Sequence, residues 1–303
     1  MEPVLTQANQ SSLRAYLFLT FTAICWGANT VFAQLAVGEV SPMVVVSLRW
    51  IGTPILLILV GRKQLQRDWP VLRKHLLFLA AMGAVGFTGF NSLFYIAAHS
   101  TTAINLGILQ AAVPGFVLLG ALAAYRTPIT PLQIGGVIIT IVGVVIVGSA
   151  GDMARLAALA FNFGDLIMVG ACILYAGYTV GLRRLPKVSS LTLLTFMAAA
   201  AFAASLPFVA IEAALGQSQW PTPTGWIIVA LITLFPSFLA QICFIRGVEL
   251  LGPGRAGIFI NLVPVFASIF AVGYLKESFE AFHGIALVLV LGGIWLSERG
   301  KPH

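Results

Sequence analysis

Of 303 residues, 59% are hydrophobic and only 9% are charged. A soluble domain carries roughly 25% charged residues, so this chain cannot clothe a water-facing surface, and lipid must cover most of it. The net charge of +7 would suit a nucleic-acid partner, a reading that the placement of the basic residues excludes below.

A bilayer-spanning helix needs about 20 apolar residues, and ten such runs use up the chain. They are expected near 14–36, 43–61, 74–98, 102–124, 131–149, 163–183, 190–214, 225–250, 255–275 and 281–298, with 62–73, 150–162 and 215–224 as the longest loops. Residues 1–13 are polar and no small-residue cleavage site follows the first run, so that run is expected to stay as a helix. It carries Trp26, Asn29 and Thr30. The second holds Arg49 about two turns in. That arginine can pair with a carboxylate, bind an anionic group or snorkel to the surface, and a structural role is the expectation. The third run supplies Asn91 and Tyr95, and the fourth Gln110 and Pro114. The fifth has Gly135, Gly136, Gly143 and Gly148, a pattern for close helix packing within the chain, with a dimer as the alternative to a monomer.

Asp165 opens the sixth run, where a carboxylate favours a helix N-terminus; Tyr175 and Tyr178 follow. The eighth contains Pro236 and Gln241, with Arg246 and Glu249 placed to pair near its end, and the ninth contains Asn261 and Pro264. Pro114, Pro236 and Pro264 are expected to bend their helices and free backbone carbonyls. His75, His99 and His283 lie near helix ends and read as surface residues. Cys25, Cys172 and Cys243 are far apart within apolar runs, so neither a disulfide framework nor a metal site is expected, and no cofactor.

Lysine and arginine orient the chain. With the N-terminus inside, fourteen basic residues fall on the inner side and two, Arg155 and Lys276, on the outer, with Arg49 inside a span. Both termini are then cytoplasmic, and the basic excess is a matter of topology. The chain also repeats itself at an offset of about 150 residues. Trp26 falls on Tyr175, Thr30 on Thr179, Asn91 on Gln241, Gly107 on Gly257, Pro114 on Pro264 and Gly143 on Gly293. Residues 1–150 and 151–303 then form two halves of five helices each; five is odd, so the halves are inverted. That is a common transporter architecture with the solute site near the midplane.

At these residues the chain resembles the drug/metabolite transporter superfamily, specifically its ten-helix EamA-type exporters. The first helix carries CWGANTVF (Cys25 to Phe32), like the family's Trp-Gly-x-Asn motif, and the sixth GDLIMVGACILYAGYTVGLRR (Gly164 to Arg184), like the opening of its second repeat. Asn261 and Pro264 followed by Glu277, and Gly292-Gly293, are similar to the family's ending. Tyr125-Arg126-Thr127 stands where the family often has a Glu closing the fourth helix, a departure expected to alter a loop more than transport.

Polar side chains on apolar helices face the bundle interior or a cavity, and helical spacing groups them by face. Trp26, Asn29, Thr30, Asn91, Tyr95, Gln110, Tyr175, Tyr178, Gln241 and Asn261 are the candidate solute contacts, on helices 1, 3, 4, 6, 8 and 9. Helices 2, 5, 7 and 10 are expected outside them as scaffold. Hydroxyls and amides also bond helix to helix in membranes, for about 0.6 kcal/mol, so both uses stay open for each. No acid sits at the centre of a span, which disfavours a small proton-coupled multidrug pump, and a phosphate exchanger should gather several bases. Aromatics, amides and hydroxyls suit a small zwitterion or a metabolite with an apolar part. The expectation is a secondary transporter of the bacterial inner membrane exporting amino acids or related metabolites, with aromatic amino acids suggested by the resemblance. Export of drugs or other metabolites is the alternative, and phosphate-type exchange another. A membrane enzyme is disfavoured because no nucleophile, metal set or acid–base pair is clustered.

Overall fold

A computed structural model describes residues 2–152, 154 and 161–300, with side chains for 13–152, 154, 161–252, 255–257 and 259–300. Arg155 and Lys301, counted above on the two sides of the membrane, lie outside the described residues. Among the described residues ten long helical segments follow one another: α1 Glu2–Ala36, α2 Pro42–Leu72, α3 Leu76–Ala98, α4 Ala103–Tyr125, α5 Pro131–Gly148, α6 Phe163–Gly181, α7 Ser190–Ala214, α8 Pro223–Leu251, α9 253–275 and α10 Ala281–Arg299. Among the described residues nine are long and apolar enough to cross a membrane, and α9 contains a shorter apolar helix, Val263–Leu275. Large apolar side chains cover the outside, as Leu77 (86% exposed) and Val288 (71%) show, so the surface is built for lipid.

One boundary differs from the sequence expectation. Residues 62–73 are not a loop: α2 runs on to Leu72, past Pro70 in its last turn. Hydropathy falls at Arg62 because the membrane ends there, whereas Arg, Lys, Gln and Leu are good helix formers. The extension is tied down where Asp68 Oδ2 accepts from the Ser189 N–H and the Thr192 hydroxyl at the start of α7, each 2.9 Å. At the other end of the pair Glu212 of α7 accepts from the Ser41 hydroxyl (2.6 Å) and the Met43 N–H (3.1 Å) at the start of α2. Each helix thus caps the other, satisfying N–H groups that a helix start leaves orphaned. Glu212→Ala is expected to lower the thermal midpoint of the purified protein, by about 2 kcal/mol of stability; an unchanged midpoint would show the cap to be idle.

Helix breaks fall where proline dictates. Pro114 and Pro264 have no N–H to offer the carbonyls of Gln110 and Ile260, four residues earlier. α4 accordingly stops at Gln110 and restarts at Val113, and α9 stops at Ile260 and restarts at Val263. α3 and α8 instead widen into π-helix at Ala84–Gly89 and Thr233–Leu239. A left-handed residue closes both broken helices, Arg126 (φ 52°) and Lys276 (φ 58°). The breaks, the left-handed ends and the π turns of α3 and α8 recur about 150 positions apart, whereas a third π turn, Ala271–Leu275 in α9, has no counterpart at 121–125.

Close packing answers the glycines. A Cβ on Gly136 would lie 2.4 Å from the Gly293 carbonyl oxygen, so α5 and α10 meet backbone to backbone within one chain. Gly27 and Gly107 do the same for the centre: a Cβ there would lie 2.7 Å from Phe266 and 2.4 Å from Ala267 of α9. His283 is not a surface residue. It is buried, and its Nδ1 accepts from the Glu280 N–H (2.9 Å) in a capping box that opens α10.

Candidate functional site

The centre is built from the irregular turns of α3 and α8. Pro236 leaves the Ile232 carbonyl without its helical donor, and the Ser237 hydroxyl donates to it at 2.7 Å. With its proton spent, Ser237 Oγ turns a lone pair outward and accepts from Arg49 Nε (3.0 Å) and Nη2 (2.7 Å). In α3, Asn91 Nδ2 donates to the Phe87 carbonyl within the π turn (2.7 Å), which aims Oδ1 at Arg49 Nη1, 2.6 Å away. The Tyr95 hydroxyl accepts from the same Nη1 (2.9 Å) and donates to Asn29 Oδ1 of α1 (3.4 Å). A guanidinium carried by α2 is thereby held by α3 and α8, and through Tyr95 by α1.

Arg49 is only 4% exposed, and its hydrogen-bond partners are all neutral. Its carbon lies 5.1 Å from the Trp50 ring centre and 5.8 Å from that of Tyr95, distances at which a ring face attracts a cation. The ion pairs Arg67–Asp68 and Arg246–Glu249 lie elsewhere, the second as expected from sequence. Of the fates open to Arg49, snorkelling is closed, because its donors find closer partners inside. One expectation is corrected. Helix 2 is not scaffold alone, because it delivers Arg49 to the centre.

One turn along α1 and α8 from this cluster, Trp26 and Gln241 are half-buried. Trp26 precedes Asn29 by three positions and Gln241 follows Ser237 by four, spacings that put each pair on one helix face. Trp26, Gln241, Tyr175, Gln110 at the break of α4 and Asn261 at the break of α9 are all partly exposed. Trp26 Nε1 donates to the Pro236 carbonyl (3.1 Å), and its ring meets Phe244 at 5.4 Å. Gln110 Nε2 donates back to Leu106 (3.3 Å). On the other side a run of rings, Trp50, Phe87, Tyr178, Tyr175 and Phe90, connects α2, α3 and α6 with centres 4.6–5.4 Å apart. Tyr178 is buried in that run against Gly86. Thr30 is fully buried and its hydroxyl donates to Gly27 in its own helix (2.8 Å), so here it packs and is not free for a solute.

Elsewhere the centre is sealed by polar contacts. Asp165 lies in the first turn of α6, as expected of a carboxylate there. Asn162 is the N-cap, accepting from the Gly164 and Asp165 N–H groups, while the Asp165 carboxylate also reaches across to Thr101 and to Asn105 (3.2 Å). Gln34 of α1 donates to the Thr101 carbonyl. Glu277, just past α9, accepts from the N–H groups of Ala103 (2.8 Å) and Ile104 (3.0 Å) and so caps α4. At Thr127, 150 positions earlier, the hydroxyl accepts from Arg183 of the adjoining segment (3.2 Å). Thr101 and Asn105 were not among the candidates. Ser237 was legible from its spacing, on the face of α8 that carries Gln241 four residues on. An apolar groove of about 370 Å³ between α2 and α8, lined by Leu48, Leu56, Trp226 and Val229 with Thr233, opens sideways and is separate from the centre.

The sequence profile of the EamA-like transporter family matches residues 13–149 and 162–299. The uncharacterized transporter YetK of Bacillus subtilis is 28% identical over 96% of this chain and 89% of its own length. The aromatic amino acid exporter YddG of Ancylobacter novellus is 23% identical over 90% of this chain and 93% of its own. The uncharacterized inner membrane transporter YedA of Escherichia coli K12 is 23% identical over 92% and 88%. A crystal structure of another protein superposes with a TM-score of 0.64 at 18% identity, covering 93% of this chain and 96% of that one, a likeness of fold.

Proposed function

We propose, from the premise that the chain belongs to the EamA-like transporter family, that it exports amino acids or related small metabolites across the bacterial inner membrane. The family and the names of its relatives make it a transporter in a multi-pass membrane fold. The finer reading is supported by five half-buried aromatic and amide side chains: Trp26 and Gln241, one helical turn along α1 and α8 from Asn29 and Ser237 of the polar cluster, Tyr175 in the run of rings, and Gln110 and Asn261 at the breaks of α4 and α9. Such a set offers aromatic faces to an apolar side chain and amides to polar groups, and the cluster's one guanidinium is too few for a phosphate. YddG, a relative along nearly its whole length, is named as an exporter of aromatic amino acids.

In this proposal residues 1–150 and 151–303 are inverted halves, both termini are cytoplasmic, and the half-buried side chains face the cytoplasm. A solute settles between Trp26 and Tyr175 and the halves rock about it. The breaks at Gln110 and Ile260 are where α4 and α9 bend, since neither carries a continuous backbone ladder there.

The test is a panel of amino acids in proteoliposomes holding the full chain. Trp26→Ala and Tyr175→Ala are each expected to slow transport of an accepted solute about tenfold or more, the loss of one buried ring contact in the transport path. If neither changes the rate of any accepted solute, these side chains are not the site. A panel in which drugs move and no amino acid does would favour the other branch of the family reading.

A further inference from the structure

We infer that Arg49 is the receptor for a single carboxylate on the transported solute, in the place that Asn91, Tyr95 and Ser237 occupy when no solute is bound. The inference rests on the transport reading above and names the chemical class of solute for that same site.

An ion taken out of water costs several kcal/mol even after relaxation, and inside a membrane such groups pair or mark solute pathways. Arg49 is 4% exposed and its bonds go to an amide, a phenol and a hydroxyl, none of which returns a charge.

The architecture does not require the guanidinium. Positions 149 and 150 further along are Ala198 and Ala199, the first fully buried. The tie that corresponds to Arg49–Ser237 is made there by Thr88, 149 positions before Ser237, whose hydroxyl donates to the Ala201 carbonyl at 2.6 Å. A neutral bond thus joins α3 to α7 where a cation joins α8 to α2. What the charge adds is affinity for an anion.

The three acceptors can let go. Ser237 keeps its bond to Ile232, Asn91 its bond to Phe87 and Tyr95 its bond to Asn29 when the guanidinium turns away. A carboxylate then takes two parallel N–H groups of the guanidinium fork, a geometry that lysine lacks. The cluster is one helical turn, about 5.4 Å, from Trp26 and Gln241. A solute whose side chain lies on the Trp26 ring places its carboxylate at Arg49. One fork matches one carboxylate and leaves a doubly charged phosphate undercompensated.

The experiment uses the full chain in proteoliposomes, with labelled L-phenylalanine counterflow competed by 3-phenylpropionate, its neutral amide 3-phenylpropanamide, and 2-phenylethylamine. In the wild type the carboxylate is expected to compete about tenfold better than the amide or the amine. Arg49→Gln is expected to erase that preference and Arg49→Lys to keep part of it. Equal competition by the amide or the amine in the wild type overturns the inference while leaving amino-acid transport standing, and so does a preference that survives in Arg49→Gln. If Arg49→Gln elutes aggregated, the wild-type comparison of carboxylate and amide decides. If phenylalanine does not move, the amino-acid reading of this site is lost for that solute, and thermal shift of the purified chain with 3-phenylpropionate, butyrate and lactate decides. Stabilisation of the wild type alone supports a carboxylate receptor; no shift, or an equal shift in Arg49→Gln, refutes it.

Discussion

Gly293→Val is expected to remove nearly all correctly folded protein, seen as loss of the monodisperse peak when detergent extracts are run by size exclusion. A Cβ at 293 would lie 2.4 Å from Thr140 Oγ1, 2.5 Å from the Gly136 carbonyl oxygen and 2.9 Å from the Thr140 N–H nitrogen. Two of these atoms are backbone and cannot step aside. Thr140 is fixed too, because its hydroxyl donates to that same Gly136 carbonyl at 3.0 Å. Overfilling a packed site costs about 1–3 kcal/mol where side chains can yield; here helix axes must part, and the cost is at or above that range. In a membrane the loss is sharper, because helix association there depends on close van der Waals fit. Gly292, one residue earlier, has nothing within 4 Å of its would-be Cβ. Gly292→Val should therefore behave like the wild type. Equal recovery of the two variants would show that α5 and α10 do not meet as described.

Glu277→Ala is expected to produce the second large effect, a lower thermal midpoint together with slowed transport. The Ala103 and Ile104 N–H groups that Glu277 caps belong to fully buried residues, and no helical carbonyl precedes them. A buried donor left without a partner costs about 1–3 kcal/mol, and two are orphaned at once. The carboxylate also fastens the end of α9 to the start of α4, so the contact that seals the centre weakens. Glu277→Gln retains one acceptor oxygen and should fall between Ala and the wild type in both measurements. A Gln variant as poor as Ala would mean that the charge, not the cap, matters; an Ala variant with unchanged midpoint would mean that the cap is dispensable.

The departure noted at Tyr125-Arg126-Thr127 takes its meaning from Glu277. The two positions follow matching left-handed turns at Arg126 and Lys276. After one, a carboxylate reaches a helix of the other half of the chain. After the other, Thr127 is held by Arg183 and Tyr125 donates to the Val180 carbonyl at 3.1 Å, both near the end of α6.

Much of the fold could be read from residues alone because lipid imposes it. A backbone in hydrocarbon must satisfy its own hydrogen bonds, so apolar runs of spanning length become helices regardless of neighbours. The prolines were equally legible: a missing N–H acts on the carbonyl four residues back whatever surrounds it, and α4 and α9 break there. The aromatic and amide candidates stood out because polar groups in apolar helices have few places to go.

Other features depended on partners remote in sequence. Helix 2 outlasts the membrane because Asp68 meets α7, 121 positions away at Ser189, and hydropathy registers only where lipid ends. His283 looked exposed near a helix end, yet a capping box with Glu280 draws it inside. Thr30 carries a hydroxyl that its own helix consumes. For Arg49 the sequence by itself determined that a lone basic residue stands two turns inside an apolar helix, since composition and spacing suffice for that. Only the tertiary structure decided that its guanidinium stays inside the bundle on neutral partners. Whether a long side chain snorkels, pairs or waits for an anion depends on what lies within 3 Å of its donors, and here that is Ser237, Asn91 and Tyr95, brought together from helices nearly 190 residues apart.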